Sequence, residues 1–292
     1  MALRGRTLYL VLSVGDAERR GQAPGTSIHN PEGASSPLFA SILEIRLSQD
    51  PDSIAGTFRM APQHHQVLTD GGEVELNDGS GATARISLLA RFPISEPEPN
   101  VIYRFSNPWG LALTDDGRTL YMSDASLDSI VGVDTATGRW RRLVRFPRVP
   151  NPGPVGPPVL DTVPTSVRIY GEQLLVSFLS GFPFVPGNAR VLAVNPATGA
   201  SEPFIFGLTS ATDILWRPRA DGRSQFFVLE FSQNQSAQPP PPGRLLRFDS
   251  GSPAPQVAAA GLITPVSLAY DEARQELFIL ELRGQILRLR LD

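Results

Sequence analysis

Apolar and polar residues alternate along much of the chain in short runs, and each run ends at a cluster of turn residues. In the clearest case, a run that follows Asn107 leads through the turn Asp115–Gly117 into "TLYMSD" and then, after a short break, into "SIVGVD". Alternation with a period of two predicts half-buried β-strands, and an Asp-Gly pair between two such runs predicts a hairpin. No apolar pattern with a period of 3.6 persists, so a stack of helices is excluded. The pattern predicts an all-β chain of antiparallel strands.

The strand pattern repeats about every fifty residues. Each unit has a strand, a tight turn, a second strand, a variable break and further strands, and a second Asp-Gly turn lies at Ala220–Gly222. Four such units begin at Asn107, Val163, Ala211 and Thr264. Pro108 and Pro164 are 56 positions apart, and Pro164 and Pro265 are 101 positions apart, which corresponds to one and two periods. Four strands per unit at this period predict the blades of a β-propeller.

A looser unit precedes these four. "GRTLYLVLSV" from Gly5 is typical of a second strand and "SILEIRLS" of a third, while "RISLLARFP" or alternatively "QHHQVLTD" supplies the fourth. No convincing first strand precedes Gly5, and the last unit ends after its third strand at Leu291. We therefore expect a single propeller domain over residues 1–292 in which about five four-stranded blades are visible.

The amino-acid composition excludes only a few classes of function. The chain of 292 residues is 41% hydrophobic and 19% charged, which allows a sizeable core, and its 28 prolines and 26 glycines suit many turns. A net charge of −3 gives no reason to expect nucleic acid as a partner, and no apolar run approaches a membrane span. With 0 cysteines, disulfides and thiolate sites are excluded. The apolar run near Met1 is short and lacks a small-residue cleavage site, so it predicts a strand and not a signal peptide.

The longest breaks between strands fall at equivalent places in the units. Connections in an antiparallel meander alternate between the two ends of the strands, so the second-to-third breaks and the blade-to-blade connections share one face. That face collects Gly15–Phe39, Pro93–Asn107, Pro147–Val163, Ser180–Asn188 and Ser232–Gly243. Because loops carry function when a rigid scaffold presents them, we expect a small molecule or a protein to bind there.

The stretch "GFPFVPG" holds two aromatic residues, Phe182 and Phe184, over this face, and its prolines limit the freedom of the loop. Two interpretations remain open. The rings pack down on the neighbouring blade, or they form a platform for a ligand or a partner.

Acidic residues recur at the ends of second strands, at Asp124, Glu230 and Glu281. They either hydrogen-bond backbone amides of neighbouring segments or form a ring of carboxylates for a divalent cation such as Ca²⁺. A second polar set lies near the starts of first strands, where side chains crowd the mouth of the central channel, and either caps loops or contacts a ligand. This set is Asn107, Thr165, Asp213 and Thr264.

Other chemistry has little support. His64 and His65 would point to opposite faces of a strand, so with His29 they make a poor metal site. No nucleophile-elbow motif is present, so we assign no catalytic residue.

Several stretches resemble the ScyD/ScyE family, which is named for its association with scytonemin pigment biosynthesis. They are "SNPWGLA", "VPTSV", "SGFPFVPGNARVLAVNPATG" and "FFVLEF", and the resemblance runs from about Gly5 to the C-terminus. It implies an exported six-bladed propeller, distantly related to NHL repeats, in an extracellular or periplasmic location. Such proteins carry a signal peptide and one further blade upstream, and we expect both to be missing from residues 1–292.

Two functions follow from these observations. The first is a non-catalytic binding or scaffolding propeller that uses the face with the long loops. The alternative is a metal-assisted hydrolase or lactonase, similar to the gluconolactonase-type propellers, that acts at the channel mouth.

Overall fold

The structure is a computed structural model that describes residues 1–22, 27–98, 101–219, 221–249 and 254–291. It confirms the predicted all-β class and the β-propeller of antiparallel blades. The chain divides into two compact units, Met1–Arg142 and Leu143–Asp292. Three predicted connections lie partly outside the described residues: the turn at Ala220, the loop Gly15–Phe39 at residues 23–26, and the connection Pro93–Asn107 at residues 99–100.

The first unit consists of thirteen strands and one α-helix in its described residues, and the last strand reaches across its boundary. In chain order the strands are β1 (Ala2–Arg4), β2 (Thr7–Leu12), β3 (Glu18–Arg20), β4 (Ser27–His29), β5 (Ser41–Leu47), β6 (Val74–Asn77), β7 (Thr83–Arg91), β8 (Ser95–Glu98), β9 (Val101–Phe105), β10 (Pro108–Leu113), β11 (Thr119–Asp124), β12 (Ser129–Asp134) and β13 (Trp140–Arg145). The helix is α1 (Pro62–Thr69), and single 3₁₀ turns lie at Gly15–Ala17 and Pro51–Ser53.

Blade 1 has the strand order β1-β2-β5-β7, with β6 added outside β7. The expectation that no first strand precedes Gly5 was wrong, because Ala2–Arg4 pairs antiparallel with β2 and places Ala2 opposite Tyr9. Three residues with an arginine among them are too short to show an alternating pattern. The fourth-strand position belongs to "RISLLARFP", as β7, and not to "QHHQVLTD".

That alternative segment forms α1, so His64 and His65 lie on a helix and not on a strand as predicted. Pro62 occupies the first turn, where its fixed φ suits a helix, and the backbone amide of Ala61 donates to Nδ1 of His64 at 3.1 Å. Leu68 of the helix is fully buried in a cluster with Leu43 of β5 and with residues of β6 and β7. The helix therefore covers one face of blade 1.

The other face of blade 1 packs against blade 2, which has the order β10-β11-β12-β13. Their shared core contains Tyr9 and Ile42 from blade 1 and Met122 and Val131 from blade 2. Two further hairpins, β3–β4 and β8–β9, extend the connections of this unit.

The second unit consists of thirteen strands in its described residues. They are β14 (Val149–Pro150), β15 (Val159–Leu160), β16 (Pro164–Tyr170), β17 (Gln173–Phe178), β18 (Ala189–Val194), β19 (Ser201–Leu208), β20 (Ala211–Pro218), β21 (Ser224–Glu230), β22 (Gly243–Asp249), β23 (Gln256–Leu262), β24 (Pro265–Asp271), β25 (Glu276–Glu281) and β26 (Ile286–Arg290). Blade 3 is β16–β19, blade 4 is β20–β23, and blade 5 is the three-stranded sheet β24–β26. The described residues from Asn107 onward form no helix, as the repeat predicts.

Successive blades of this unit stack face to face. Leu175 and Val191 of blade 3 are buried with Ile214 and Val228 of blade 4. On its opposite face, blade 4 buries a second set that includes Phe227 and Leu245 against Leu277 and Ile279 of blade 5. Alternation along each strand thus serves two cores, because odd and even side chains point to opposite faces of a sheet.

In the described residues no helix is long and apolar enough to cross a membrane.

Candidate functional site

The register within the blades corrects one of the predicted residue sets. Pro108, Pro164, Ala211 and Pro265 are equivalent, since each begins a first strand and lies opposite the last residue of the second strand. Asn107 and Thr264 lie just before these positions, whereas Thr165 and Asp213 are the second and third residues of their strands. A bulge follows the first residue in all four blades, so it leaves the equivalence of positions between blades unchanged. The four residues are therefore not one ring.

Thr165 is a structural link between blades. Its buried hydroxyl donates to the carbonyl oxygen of Ala211 at 2.9 Å, at the start of the next first strand. Thr212, the equivalent residue of blade 4, repeats this bond to the carbonyl of Pro265 at 3.1 Å. These hydroxyls hold neighbouring first strands together.

Asp213 is the centre of a polar network that joins three blades. Its carboxylate, 2% exposed, accepts hydrogen bonds from Nη2 of Arg168 at 2.6 Å and Nε at 3.2 Å. It also accepts from the backbone amide of Leu268 at 2.8 Å and from the hydroxyl of Ser267 at 3.2 Å. Arg168 in turn donates to the carbonyl of Leu268 at 2.8 Å. The first strands of blades 3, 4 and 5 are fastened to one another at this point.

The three acidic residues at the ends of second strands do occupy equivalent positions, and each accepts a hydrogen bond from the backbone just before its own blade. Asp124 accepts from the amide of Asn107 at 2.9 Å. Glu230 accepts from the amide of Thr209 at 2.6 Å, and Glu281 from that of Ile263 at 2.6 Å. All three side chains are buried. These contacts favour the structural interpretation of the set.

The buried carboxylates of Glu230 and Asp124 have different hydrogen-bond partners. Glu230 also binds Nε of Arg244 on the adjacent strand at 2.5 Å. Asp124 accepts from the hydroxyl of Ser106 at 2.5 Å and from the amide of Leu127 at 3.1 Å. Burial raises the pKa of Asp124 above its ordinary value of 3.8, although these hydrogen bonds oppose the shift.

A cation site is not apparent around these carboxylates. Across the described residues, no group of three or more His, Asp or Glu side chains could hold a metal ion. His29 contacts the hydroxyl of Ser95 at 3.2 Å and packs edge-on against Phe105, while His64 and His65 lie on α1.

Within the predicted set, Thr264 has a buried hydroxyl without a hydrogen-bond partner. Its carbonyl accepts from the amide of Leu282 at 3.0 Å, but its backbone has φ +50° and its buried hydroxyl has no hydrogen-bond partner. Val163 and Ser210 at the equivalent positions of blades 3 and 4 have φ values of +55° and +50°. A left-handed conformation is costly for a β-branched residue. The connections into blades 3, 4 and 5 therefore impose strain at this position.

Three long connections of the second unit meet on one face, as the strand order predicts. They are Pro147–Val163, Ser180–Asn188 and Ser232–Gly243. The hydroxyl of Ser236 donates to the carbonyl of Pro183, and a Cβ atom on Gly156 would lie only 2.9 Å from Cδ of Pro183. We call these three connections the loop platform.

The loop platform is held by side chains that bond to backbone. Asn151 donates to the carbonyls of Val155 and Pro157, both at 2.8 Å, and accepts from the amide of Gly153 at 2.9 Å. Ser232 donates to the carbonyl of Pro241 at 2.6 Å. Asn188 donates to the hydroxyl of Ser180 at 3.0 Å. Bonds of this kind fix a loop without a strand ladder.

Phe182 and Phe184 differ in exposure, so one ring is presented to solvent and the other packs partly into the structure. Phe182 is 58% exposed, while Phe184 is half-buried and meets Phe182 edge-on with ring centres 6.1 Å apart. Val155 and Val159 of the first connection are also exposed. The ion pair between Arg148 and Asp161, 2.7 Å, lies in the same connection. The loop platform thus presents apolar side chains and nearby charge on an ordered backbone.

Several of these residues escaped the prediction. Arg168 is one of many arginines in the sequence, and nothing local distinguishes it from a surface residue. Val155 and Val159 lie in a proline-rich connection without alternation, where no periodic signal exists. Asn151 precedes a Pro-Gly pair, a turn signal that could have indicated its capping role.

The fold places the chain among the β-propeller proteins. No protein-family model and no curated protein matches it. A structure of a nidogen/laminin complex is similar at 14% identity and a TM-score of 0.47, over 86% of each chain. A gluconolactonase from Xanthomonas campestris is similar at 16% identity and 0.45, over 70% of this chain and 69% of that one. A calcium-binding protein, regucalcin, from Agrobacterium tumefaciens has 11% identity and a TM-score of 0.41, over 63% and 54%. At this distance none of them carries a ligand or an activity over to this chain.

Proposed function

We propose that the protein is a non-catalytic binding propeller whose loop platform engages an extracellular or periplasmic partner protein. The observation that carries the proposal is the position of Phe182, an aromatic side chain held 58% exposed on a loop that two other loops support. Exposed aromatic residues at fixed positions are typical anchors of protein interfaces. The ScyD/ScyE resemblance supports export and stays a prediction.

The physical case for binding rests on preorganisation. Ordering a loop on binding costs conformational entropy, and a loop already held by hydrogen bonds avoids most of that cost. Asn151, Asn188 and Ser236 hold the backbone around Phe182 in this way. Phe184 supports the exposed ring from its edge. An apolar anchor beside charged residues matches the core and rim of a protein interface.

The experiment pairs two phenylalanines of blade 3. A phage-displayed library of random dodecapeptides is selected on the wild-type protein, and the affinities of the enriched peptides are measured for Phe182→Ala and Phe206→Ala. Phe206 is the matched control because it is 55% exposed on the fourth strand of the same blade, outside the loop platform. Loss of a buried aromatic anchor costs about 2 kcal/mol or more, so we expect Phe182→Ala to weaken binding at least tenfold. Equal affinities for the two variants would refute the proposal.

The hydrolase or lactonase alternative needs a cation at the channel mouth. The candidate carboxylates are engaged by backbone amides, and Asp213 is engaged by Arg168. We therefore rank this alternative second. The response of thermal stability to Ca²⁺ is the decisive measurement for this alternative.

A further inference from the structure

The loop platform is rich in proline. Twelve of the 28 prolines of the chain lie in its three connections, and ten of those twelve are exposed. They include Pro154 and Pro158 of the first connection, Pro186 of the second and Pro240 of the third. A proline residue has a backbone carbonyl but no backbone N–H. The backbone of this surface therefore offers more hydrogen-bond acceptors than donors.

Several side-chain donors of the loop platform are already bonded to the loops themselves. The carbonyls of Pro241 and Pro242 accept from the hydroxyl of Ser232 at 2.6 Å and from Nε2 of Gln233 at 3.1 Å. Asn151 donates to two further carbonyls, both at 2.8 Å. A carbonyl oxygen has two lone pairs, so one internal bond leaves it able to accept another. A partner therefore meets carbonyl oxygens that can still accept hydrogen bonds.

The loop platform carries no net charge. Its three connections contain one basic and one acidic residue, Arg148 and Asp161, which pair with each other at 2.7 Å. Long-range attraction of a strongly charged partner, such as a polyanion, therefore has no source in these connections. Neutral hydrogen-bond donors match this surface better than a run of charged side chains.

Tyrosine and tryptophan side chains combine the two properties that suit this surface. Their rings pack against apolar groups, and an O–H or N–H group at the edge of the ring donates a hydrogen bond. Grooves lined with aromatic side chains are a common way of recognising proline-rich segments. Phe182 and Val155, both exposed, extend the apolar area around the prolines. A phenylalanine or leucine of the partner would cover the same area but would leave covered carbonyls without a donor, which is unfavourable.

We propose that the loop platform binds an extended segment of a partner protein through tyrosine and tryptophan side chains, which stack on its proline rings and donate hydrogen bonds to its carbonyl oxygens. This inference rests on the proposed binding function and adds the chemistry of the partner. Because the acceptors are backbone carbonyls, they persist when a proline is replaced by another residue. The hydrogen bond is therefore best removed from the peptide and the ring from the protein.

The test measures fluorescence anisotropy of three labelled eight-residue peptides, in which serine alternates with tyrosine, with phenylalanine or with leucine. The tyrosine and phenylalanine peptides differ only in the phenolic hydroxyls. We expect the tyrosine peptide to bind more tightly than the phenylalanine peptide by roughly threefold to tenfold. The leucine peptide should bind more weakly than both, because it lacks the flat ring.

Two variants of the protein test the proline rings. Pro158→Ala and Pro240→Ala keep the carbonyl but remove a ring from two different connections, so each should weaken binding of the tyrosine peptide by roughly threefold. Pro218→Ala is the matched control, because Pro218 is exposed at the end of β20, outside the loop platform. This control should bind the peptide as the wild type does.

Four outcomes would overturn the inference. They are equal affinities for the tyrosine and phenylalanine peptides, an equal loss of binding in Pro218→Ala, undiminished binding of the tyrosine peptide by Phe182→Ala, and no measurable binding of that peptide. The proposed function is tested separately, since it fails only if the peptides selected from the library bind Phe182→Ala and Phe206→Ala equally. If those peptides depend on Phe182 while the tyrosine peptide does not bind, the binding function stands and the chemistry assigned to the partner is wrong.

Discussion

The network around Asp213 offers the sharpest test of how the second unit is held together. Asp213→Ala removes a carboxylate that accepts four hydrogen bonds, two from Arg168, one from Ser267 and one from the amide of Leu268. The substitution leaves a buried amide without its acceptor and a guanidinium without its counter-charge. We therefore expect a large loss of stability from a single side chain.

The magnitude follows from burial. Removing one partner of a buried ion pair costs about 3 to 5 kcal/mol, and an unsatisfied buried amide alone costs about 1 to 3 kcal/mol. Asp213 is 2% exposed, but the side chain of Arg168 is 31% exposed, so water can solvate the guanidinium in part. This places the cost near the lower end, at about 3 kcal/mol. With an m-value of about 2 kcal/mol per molar urea, the midpoint should fall by about 1.5 M.

The assay follows unfolding in urea by the fluorescence of Trp216, the only tryptophan from Leu143 onward, in a background with Trp109→Phe and Trp140→Phe. Trp216 lies on the same strand as Asp213 and donates to the carbonyl of Ile169 at 2.7 Å. Arg168→Met should cost a similar amount, and the double variant should cost little more than either single one, because the two side chains act as a unit. A loss below 1 kcal/mol for Asp213→Ala, or additive costs in the double variant, would refute this account.

Three further predictions concern other residues. Asp124→Asn keeps a side-chain oxygen that can accept from the amides of Asn107 and Leu127, but it removes the titrating group. The pKa of Asp124 is raised in the folded protein above its ordinary value of 3.8. The free energy of unfolding of the wild type should therefore fall relative to that of the variant as pH rises from 3.8 through the raised pKa. If the urea midpoints of the wild type and of Asp124→Asn changed equally across this pH range, the prediction would be wrong. Thr264→Gly should raise stability by roughly 1 kcal/mol, more than Thr264→Ala, because it relieves the positive φ as well as removing the unpaired hydroxyl. The thermal midpoint should be the same in Ca²⁺ and in chelator, whereas a Ca²⁺-dependent rise of several degrees would support the hydrolase alternative.

The repeat made the blades predictable because each strand serves two cores. A residue that packs on one blade alternates with one that packs on the next, so the second strands are buried at nearly every position and stand in the sequence as short continuous apolar runs between turn residues. The tight Asp-Gly turn at Gly117, where φ is +76°, marks the hairpin unambiguously. What the pattern could not show is the bulge after each first residue. The predicted set failed because it combined three different positions: Asn107 and Thr264 precede their strands, Thr165 is the second residue of its strand, and Asp213 is the third.

The parts of blade 1 that escaped prediction are stabilised by tertiary contacts. β1 is three residues long, and its pairing with β2 gives it an extended structure that local propensity would not. α1 is eight residues long, too short to be stable alone, and packs through Leu68 against the sheet. β7 occupies the sheet position that a strand formed by this segment would have taken.

Blade 3 departs from the repeat at the end of its second strand, where the chain enters the loop platform. Where blades 2, 4 and 5 have an acid at the end of the second strand, blade 3 has Phe178. The cross-strand partner of Phe178 is an arginine, as it is in blade 4: Arg190 lies over the Phe178 ring at 5.2 Å, and Arg244 pairs with Glu230.

No carboxylate therefore holds the connection into blade 3 at this position. Its start is anchored instead by Phe146, which packs edge-on against Phe178 with ring centres 4.8 Å apart. Its end is held by the amide of Gly181, which donates to the carbonyl of Asp161 at 2.8 Å. The connection is therefore fixed at both ends, by an apolar contact at its start and by a hydrogen bond to the loop of Phe182 at its end. Between these ends it presents Val155 and Val159 to solvent. The blade whose second strand ends in Phe178 and not in an acid is thus the blade that carries Phe182 on its next loop.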